Sequence, residues 1–342
     1  MKNGQKPLGQ LGERATLTSA PAAMAVAGGK AAFDFAPPGR RCRCWCWNGI
    51  EANTKPACEN PRLARLVVPM PRIPLEDNFT DVIGKAQRGY KLTDATLADK
   101  AGITVEDLVA IKGGEVRDHA IRAVAHALGL GRDALMSLAR REWYPEQTIF
   151  SRGFAMFNTA FEDLTVNSYL VWDPRSRLAA AFDTGTNAQP MLDTLAGEKL
   201  TLRYIFLTHT HPDHIADLDR LTTTGAEVWA SELEPADRPG AKTFQENAHF
   251  HLGELALKTL LTWGHSPGQT TYFITGLSWP LAIVGDSLFA SSMGGSATHY
   301  ELQLRNNKQK ILKLPLDTVL ACGHGPLTTL KQEKQHNPFF TR

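Results

Sequence analysis

Thr208-His209-Thr210-His211-Pro212-Asp213-His214 is the segment whose residue types and spacing point most directly to chemistry. Three imidazoles and a carboxylate within six residues offer more competing donors and acceptors than a core or an ordinary surface needs. A metal ion needs them. His209 and His211 alternate along an extended segment and can aim at one ion, while Asp213 and His214 fall at the turn into a helix expected over 215–221. One ion closed by this single loop would be strained, and two neighbouring ions sharing a bridging ligand and a water use the geometry better. Further ligands should then lie at the ends of later strands. His265 in Gly264-His265-Ser266-Pro267-Gly268-Gln269-Thr270, Asp286 in Gly285-Asp286-Ser287 and His324 in Cys322-Gly323-His324-Gly325-Pro326 each follow an apolar run and sit beside glycine. Glycine lets the backbone come close to an ion. The expected cofactor is a pair of divalent metal ions, zinc first, with iron or manganese compatible with the same donors.

The elements that must hold these residues read as short strands. Residues 167–172, 178–182, 202–207, 255–261, 281–284 and 318–320 are apolar or alternating runs, ended by turn residues such as Asp173-Pro174 and Thr184-Gly185. Asp183, just before that second turn, either orients a ligand imidazole from behind or caps the turn. His299 and Tyr300 follow the Gly294-Gly295 loop and are expected near the mouth of the site as substrate contacts. His249 and His251 flank Phe250 and read as ordinary strand histidines, and Cys322 as a buried, unreactive thiol.

The HxHxDH run, followed in order by His, Asp and His, resembles the metallo-β-lactamase superfamily over roughly residues 150–342. The resemblance implies an α+β fold, an αββα sandwich with a binuclear site at one edge of the sheets. It also implies that His209, His211 and His265 hold one metal, that Asp213, His214 and His324 hold the other, and that Asp286 bridges them. Catalysis would fall to Asp213 with a metal-bound hydroxide attacking an acyl carbonyl. Within the superfamily, Gly285-Asp286-Ser287-Leu288-Phe289, the tail from Gly323 through Glu333 to Asn337-Pro338-Phe339, and the His214–His265 interval are similar to the glyoxalase II (hydroxyacylglutathione hydrolase) group. That implies a thioester or ester of a small molecule as substrate. Two features depart from the group. Only 18 residues follow His324, so the C-terminal helical domain by which full-length glyoxalase II enzymes hold glutathione would be missing. Met293-Gly294-Gly295-Ser296 also replaces the basic and aromatic residues usual after the aspartate loop. Two rival readings are a mononuclear iron persulfide dioxygenase on the same fold, and a DNA-binding regulator whose metallo-domain acts as a sensor.

Composition divides the chain. Its 342 residues carry a formal charge of +2 and are 43% hydrophobic and 21% charged, enough for real cores. Residues 1–69 hold ten Lys and Arg against four Asp and Glu, whereas the rest holds 27 against 31. Cys42, Cys44, Cys46 and Cys58 lie in that first stretch, and no histidine precedes His119. Three closely spaced cysteines could recruit a soft metal, but structural zinc sites use pairs two to four residues apart. The expectation for 1–70 is therefore a disordered extension or a mis-assigned start, with Met70 as the natural initiator. There is no export signal and no apolar run of 18 residues, so no membrane partner is expected. A single cysteine beyond Met70 fits the cytoplasm.

Residues 71–142 read as short amphipathic helices, and 143–342 as the catalytic domain. Thr93-Asp94 to Gly102, then Thr104 to Gly113, form two helices around a tight turn, followed by helices over 120–128 and 132–139. This resembles the phage-repressor and Cro type of helix-turn-helix. DNA is not the favoured partner, because Glu106 and Asp107 open the second helix and residues 71–140 carry ten basic and ten acidic groups. Docking or dimerisation is the preferred reading, and the oligomeric state is left open.

Overall fold

The computed structural model describes residues 72–146 and 152–341. The four early cysteines and the expected start at Met70 lie outside the described residues. Five helices come first: α1 Phe79–Gly89, α2 Asp94–Ala101, α3 Val105–Lys112, α4 Asp118–Ala127 and α5 Arg132–Ala139. Their boundaries follow from local chemistry. The Asn78 side chain accepts from Thr80 N and Asp81 N while the Asp81 carboxylate accepts from Asn78 N, a reciprocal cap on α1. Thr93 and Thr104 cap α2 and α3, and Gly102 ends α2 at φ 67°, a conformation that favours glycine. Val82, Ile83, Leu97, Leu108, Ile111, Ile121, Val124 and Leu135 are buried together.

Two six-stranded sheets follow. The first contains β1 Phe154–Phe161, β2 Leu164–Trp172, β3 Leu178–Phe182, β4 Thr201–Phe206, β5 Glu227–Ser231 and β6 Lys242–Phe244, in that spatial order. Helices α6 Gln189–Gly197, α7 Pro212–Ile215 and α8 Leu218–Thr222 are the crossovers on either side of β4. The second sheet has β7 His249–Leu252, β8 Leu255–Leu261, β9 Thr270–Thr275, β10 Leu281–Gly285, β11 Val319–Cys322 and β12 Thr328–Thr329, with β7 and β12 at its edges. Helix α9 Tyr300–Gln309 connects β10 to β11, and α10 Leu330–His336 follows β12. Strands β3 to β6 run parallel within the first sheet, and β10 and β11 within the second, so the chain leaves β10 and β11 at one end of that sheet.

Tyr169, Phe182, Phe206, Tyr272, Ile283 and Ala321 fill the space between the sheets. The outer face of the first sheet packs Leu170, Ala181 and Ile205 on Met191, Leu195 and Leu221 of the flanking helices. Ala282, Val284 and Leu320 on the outer face of the second pack on Leu288, Phe289, Ile311 and Leu330. The layers are therefore helix, sheet, sheet, helix, each sheet burying both faces.

The helix expected over 215–221 is instead two, broken at Ala216-Asp217. Asp217 is drawn out of the helical path, its N–H donating to Thr184 Oγ1 at 3.2 Å and its carboxylate accepting from Ala188 N at 2.8 Å. The five leading helices share a core with the sandwich, since Met293, Tyr300 and Phe339 belong to their apolar cluster. Lys85 pairs with Asp77 and donates to Met293 O at 3.0 Å, and Ser292 donates to Asp77.

Candidate metal centre

His209 and His211 lie on the loop leaving β4, and Asp213 and His214 in the single turn of α7, where Pro212 takes the first helical position and fixes the entry. His265 stands between β8 and β9, Asp286 directly after β10 and His324 between β11 and β12. All seven converge. His211 Nδ1 is 3.0 Å from both His209 Nε2 and His265 Nε2. Asp286 reaches His214 Nε2 at 3.3 Å, His265 Nε2 at 3.4 Å and His324 Nε2 at 3.5 Å. Asp213 Oδ2 is 3.3 Å from His324 Nε2 and 3.5 Å from His214 Nε2. Three groups of ligand atoms each fall within 4.8 Å: His209, His211 and His265; His209, His214 and Asp286; Asp213, His214 and His324.

These donors fit divalent cations. Nitrogens bound tetrahedrally at 2.0–2.1 Å stand about 3.3 Å apart, close to the spacing here. His214 Nε2 and Asp286 Oδ1 are buried and have no hydrogen-bond partner. Orphaned buried groups are costly unless something completes them, and a cation between them would.

The outward nitrogens are occupied in a way that turns lone pairs inward. His214 Nδ1 meets Asp183 Oδ2 at 2.8 Å, His265 Nδ1 meets Gly295 O at 2.8 Å and His324 Nδ1 meets Thr165 O at 2.7 Å. A neutral imidazole that donates from Nδ1 presents an unprotonated Nε2 to the cluster, the state a cation would select over the doubly protonated ring. Asp183 also accepts from Thr208 N and Thr208 Oγ1, and it holds φ 56°, a strained setting for a residue with a side chain. Burial pushes His209 and His211 below the ordinary imidazole range. Burial works the same way on His214 and His324, but Asp286 with Asp183 raises the first to about 10, and Asp286 with Asp213 raises the second to about 11.

The loop carrying His324 is fastened by β2. Asn167 Nδ2 donates to Cys322 O at 2.9 Å and Gly325 O at 2.8 Å, and Tyr169 donates to Cys322 O at 2.5 Å. A Cβ at Gly323 would stand 2.0 Å from Asp286 Oδ1, so only glycine lets this loop lie against the cluster.

Residues 162–324 match the metallo-beta-lactamase superfamily. Hydroxyacylglutathione hydrolase GloC of Haemophilus influenzae is 30% identical over 205 residues, which cover 53% of this chain and 94% of that protein. The chain belongs to the metallo-β-lactamase superfamily. Probable metallo-hydrolase YqgX of Bacillus subtilis is 29% identical over 181 residues, 46% of this chain and 85% of that protein. A hydroxyacylglutathione hydrolase of Brucella anthropi is 31% identical over 157 residues, 45% of this chain and 59% of its own length.

Metallo-β-lactamase folds bind divalent metals, and the cluster of histidines and aspartates above is where this one gathers the donors. Other residues singled out in the sequence are not among these donors. Tyr300, expected as a substrate contact, is 2% exposed and belongs to the apolar core shared with α1 to α5, where its ring meets Tyr90 edge-on at 5.0 Å. Its aromatic bulk, rather than its hydroxyl, earned that place. His299 precedes α9, 5.7 Å from the Trp263 ring, with its N–H donating to Ser296. His249 and His251 face outward on edge strand β7 with Phe250 turned inward, and Cys322 is fully buried, its thiol pushed up by burial. Sequence reasoning missed Thr208, Asn167, Tyr169 and Glu234. Asn167 left a trace, an amide beside Ser168 in a strand that is otherwise largely apolar; Glu234 left none.

Proposed function

We propose that this chain is a metal-dependent thioester hydrolase of the glyoxalase II kind. The observation that carries the reading is that the donor groups overlap through His209 and His214, with Asp286 within 3.5 Å of His214, His265 and His324, which suits two adjacent cations better than one. In this reading His209, His211 and His265 would hold one cation and Asp213, His214 and His324 the other, with Asp286 available to either. When bound, two such cations supply a water of lowered pKa and an electrophile for an acyl oxygen. The chain's own residues do the rest. Asp183 and Gly295 O fix the tautomers of His214 and His265, Asp213 Oδ2 stands between His214 and His324 where it would complete their donor group, and Asn167 with Tyr169 holds the His324 loop rigid. The likeness to GloC over nearly the whole of that protein supports a hydroxyacyl thioester as substrate.

The test is turnover by the purified full chain, loaded in turn with zinc, manganese and iron. It is assayed on lactoylglutathione and on thioesters of other thiols, with metal content measured on the same samples. Hydrolysis by a protein holding two metals per chain supports the reading. Oxygen consumption on glutathione persulfide with one iron per chain, and no thioester cleavage, would replace it.

We further read α1 to α5 as a helix-turn-helix module used for docking rather than for DNA. The first turn of α3 carries Glu106 and Asp107, Asp107 is tied to Thr104 and Arg117, and Val105 and Val109 stand exposed on the same helix. A salt-dependent gel shift on random duplex DNA would overturn that reading.

A further inference from the structure

We infer that Glu234 is a positioning residue that sets the spacing of the His209–His211–His265 trio by clamping the two loops that carry it. The inference rests on the proposal that this trio holds a cation. Glu234 lies just after β5 and is not among the cluster's donors. Its Oε1 accepts from Thr210 N and Thr210 Oγ1, both at 2.8 Å. Its Oε2 accepts from Ser266 Oγ at 2.6 Å and from Gly268 N at 2.8 Å. Thr210 sits between His209 and His211, and Ser266 directly follows His265, so one carboxylate joins a loop of the first sheet to a loop of the second.

Four donors fill the four acceptor positions of an ionised carboxylate, and no other side chain of this length can receive all four. The approach is tight: a Cβ at Gly268 would stand 2.4 Å from Glu234 Cβ, so this glycine brings the His265 loop onto the clamp. His211 Nδ1 and His265 Nε2, 54 residues apart in sequence, end 3.0 Å from each other. Beside the backbone bond from Thr270 N to Thr208 O at 2.8 Å, the Glu234 carboxylate is the side-chain link running from Thr210 to the segment after His265. Glutamine in its place would turn an NH2 group toward one pair of donors and release that loop, leaving the opposite group of Asp213, His214 and His324 untouched.

The probe is cobalt(II), added to metal-stripped full chain and followed by its visible absorption and by competition with a chelator. Wild type should bind two equivalents. Glu234→Gln should lose about 10- to 100-fold in affinity for one equivalent, the scale of losing an outer partner of a ligand. Its second equivalent should bind as in wild type, and its metal-free form should melt as wild type does. Ser266→Ala, which removes one donor of the four, should show a smaller loss at the same equivalent. Should Glu234→Gln fail to fold, wild-type cobalt affinity in Ser266→Ala overturns the inference. So does a folded Glu234→Gln that binds both equivalents normally, or that weakens both equally. A wild-type chain that binds no cobalt at all overturns the metal reading itself, and the clamp with it.

Discussion

At Asp183 a single carboxylate decides which nitrogen of His214 faces the cluster. Oδ2 accepts from His214 Nδ1, while Thr208 N donates to Oδ1. In Asp183→Asn the amide oxygen would stay with Thr208 N and the NH2 would face Nδ1. The imidazole would then accept at Nδ1 and carry its proton at Nε2, the atom that needs a free lone pair. Metal affinity is expected to fall about 10- to 100-fold with little change in melting temperature of the metal-free form, measured by chelator competition and by a thermal melt. Unchanged affinity would show that Asp183 only caps its turn. The sequence made Asp183 legible because it stands beside Thr184-Gly185 at a strand end, and the seven donors legible because imidazoles at such spacing have few other uses. Glu234 was illegible for the opposite reason. A glutamate in the polar turn Glu232-Leu233-Glu234-Pro235 looks like any solvated carboxylate until the fold brings Thr210 and Ser266 to it.

Elements were legible where a local rule governs them. The runs read over 178–182 and 255–261 coincide with β3 and β8, and the caps Thr93, Gly102 and Thr104 bound α2 and α3 as read. Pairing order, and the break between α7 and α8, depend on partners distant in sequence and leave no local trace. Helix α10 shows what such a distant partnership costs. Glu333 is buried, accepting from Thr328 Oγ1, Ser291 N and Asn337 Nδ2, and burial outweighs those three donors to push its carboxyl up to about 7. Because the folded state holds this proton more tightly than the unfolded chain does, the stabilisation is complete below the ordinary glutamate value of 4.5 and is lost as pH rises through about 7. Glu333→Gln keeps the shape, since Thr328 Oγ1 can accept from the new NH2 group. Relative to that variant, wild type should lose on the order of 3 kcal/mol as pH rises across that window, read from urea unfolding at each pH. Parallel curves for the two proteins would show that the carboxyl titrates normally.

Across the whole molecule, the coupling between α1–α5 and the sandwich is a matter of shared core. Tyr300 of α9 is packed so closely against α1 that a Cβ at Gly89 would stand 2.2 Å from its ring, and Phe339 and Met293 complete the same apolar cluster. Around it, Gly131 N donates to Pro338 O at 2.7 Å and Lys85 donates to Met293 O. A junction with a buried aromatic at its centre should not open before the rest of the fold. The chain offers two separable reporters of this. Residues 72–142 contain no tryptophan, but Trp45, Trp47 and Trp143 flank them and α6 to α10 share the far-ultraviolet signal, so the reporters are amide hydrogen exchange in α1–α5 and in β2–β5 along a urea series. The two signals are expected to unfold with one midpoint in urea. Tyr300→Ala should lower both together by about 3–5 kcal/mol, the usual cost of deleting a buried aromatic ring. If the helical signal alone moved, the leading helices would be an independent domain resting on the sandwich. The loop Ser291–Gly295, which presents Gly295 O to His265, would then owe nothing to them. A common midpoint would instead mean that packing on α1 helps hold the imidazole of His265 in register with the cluster.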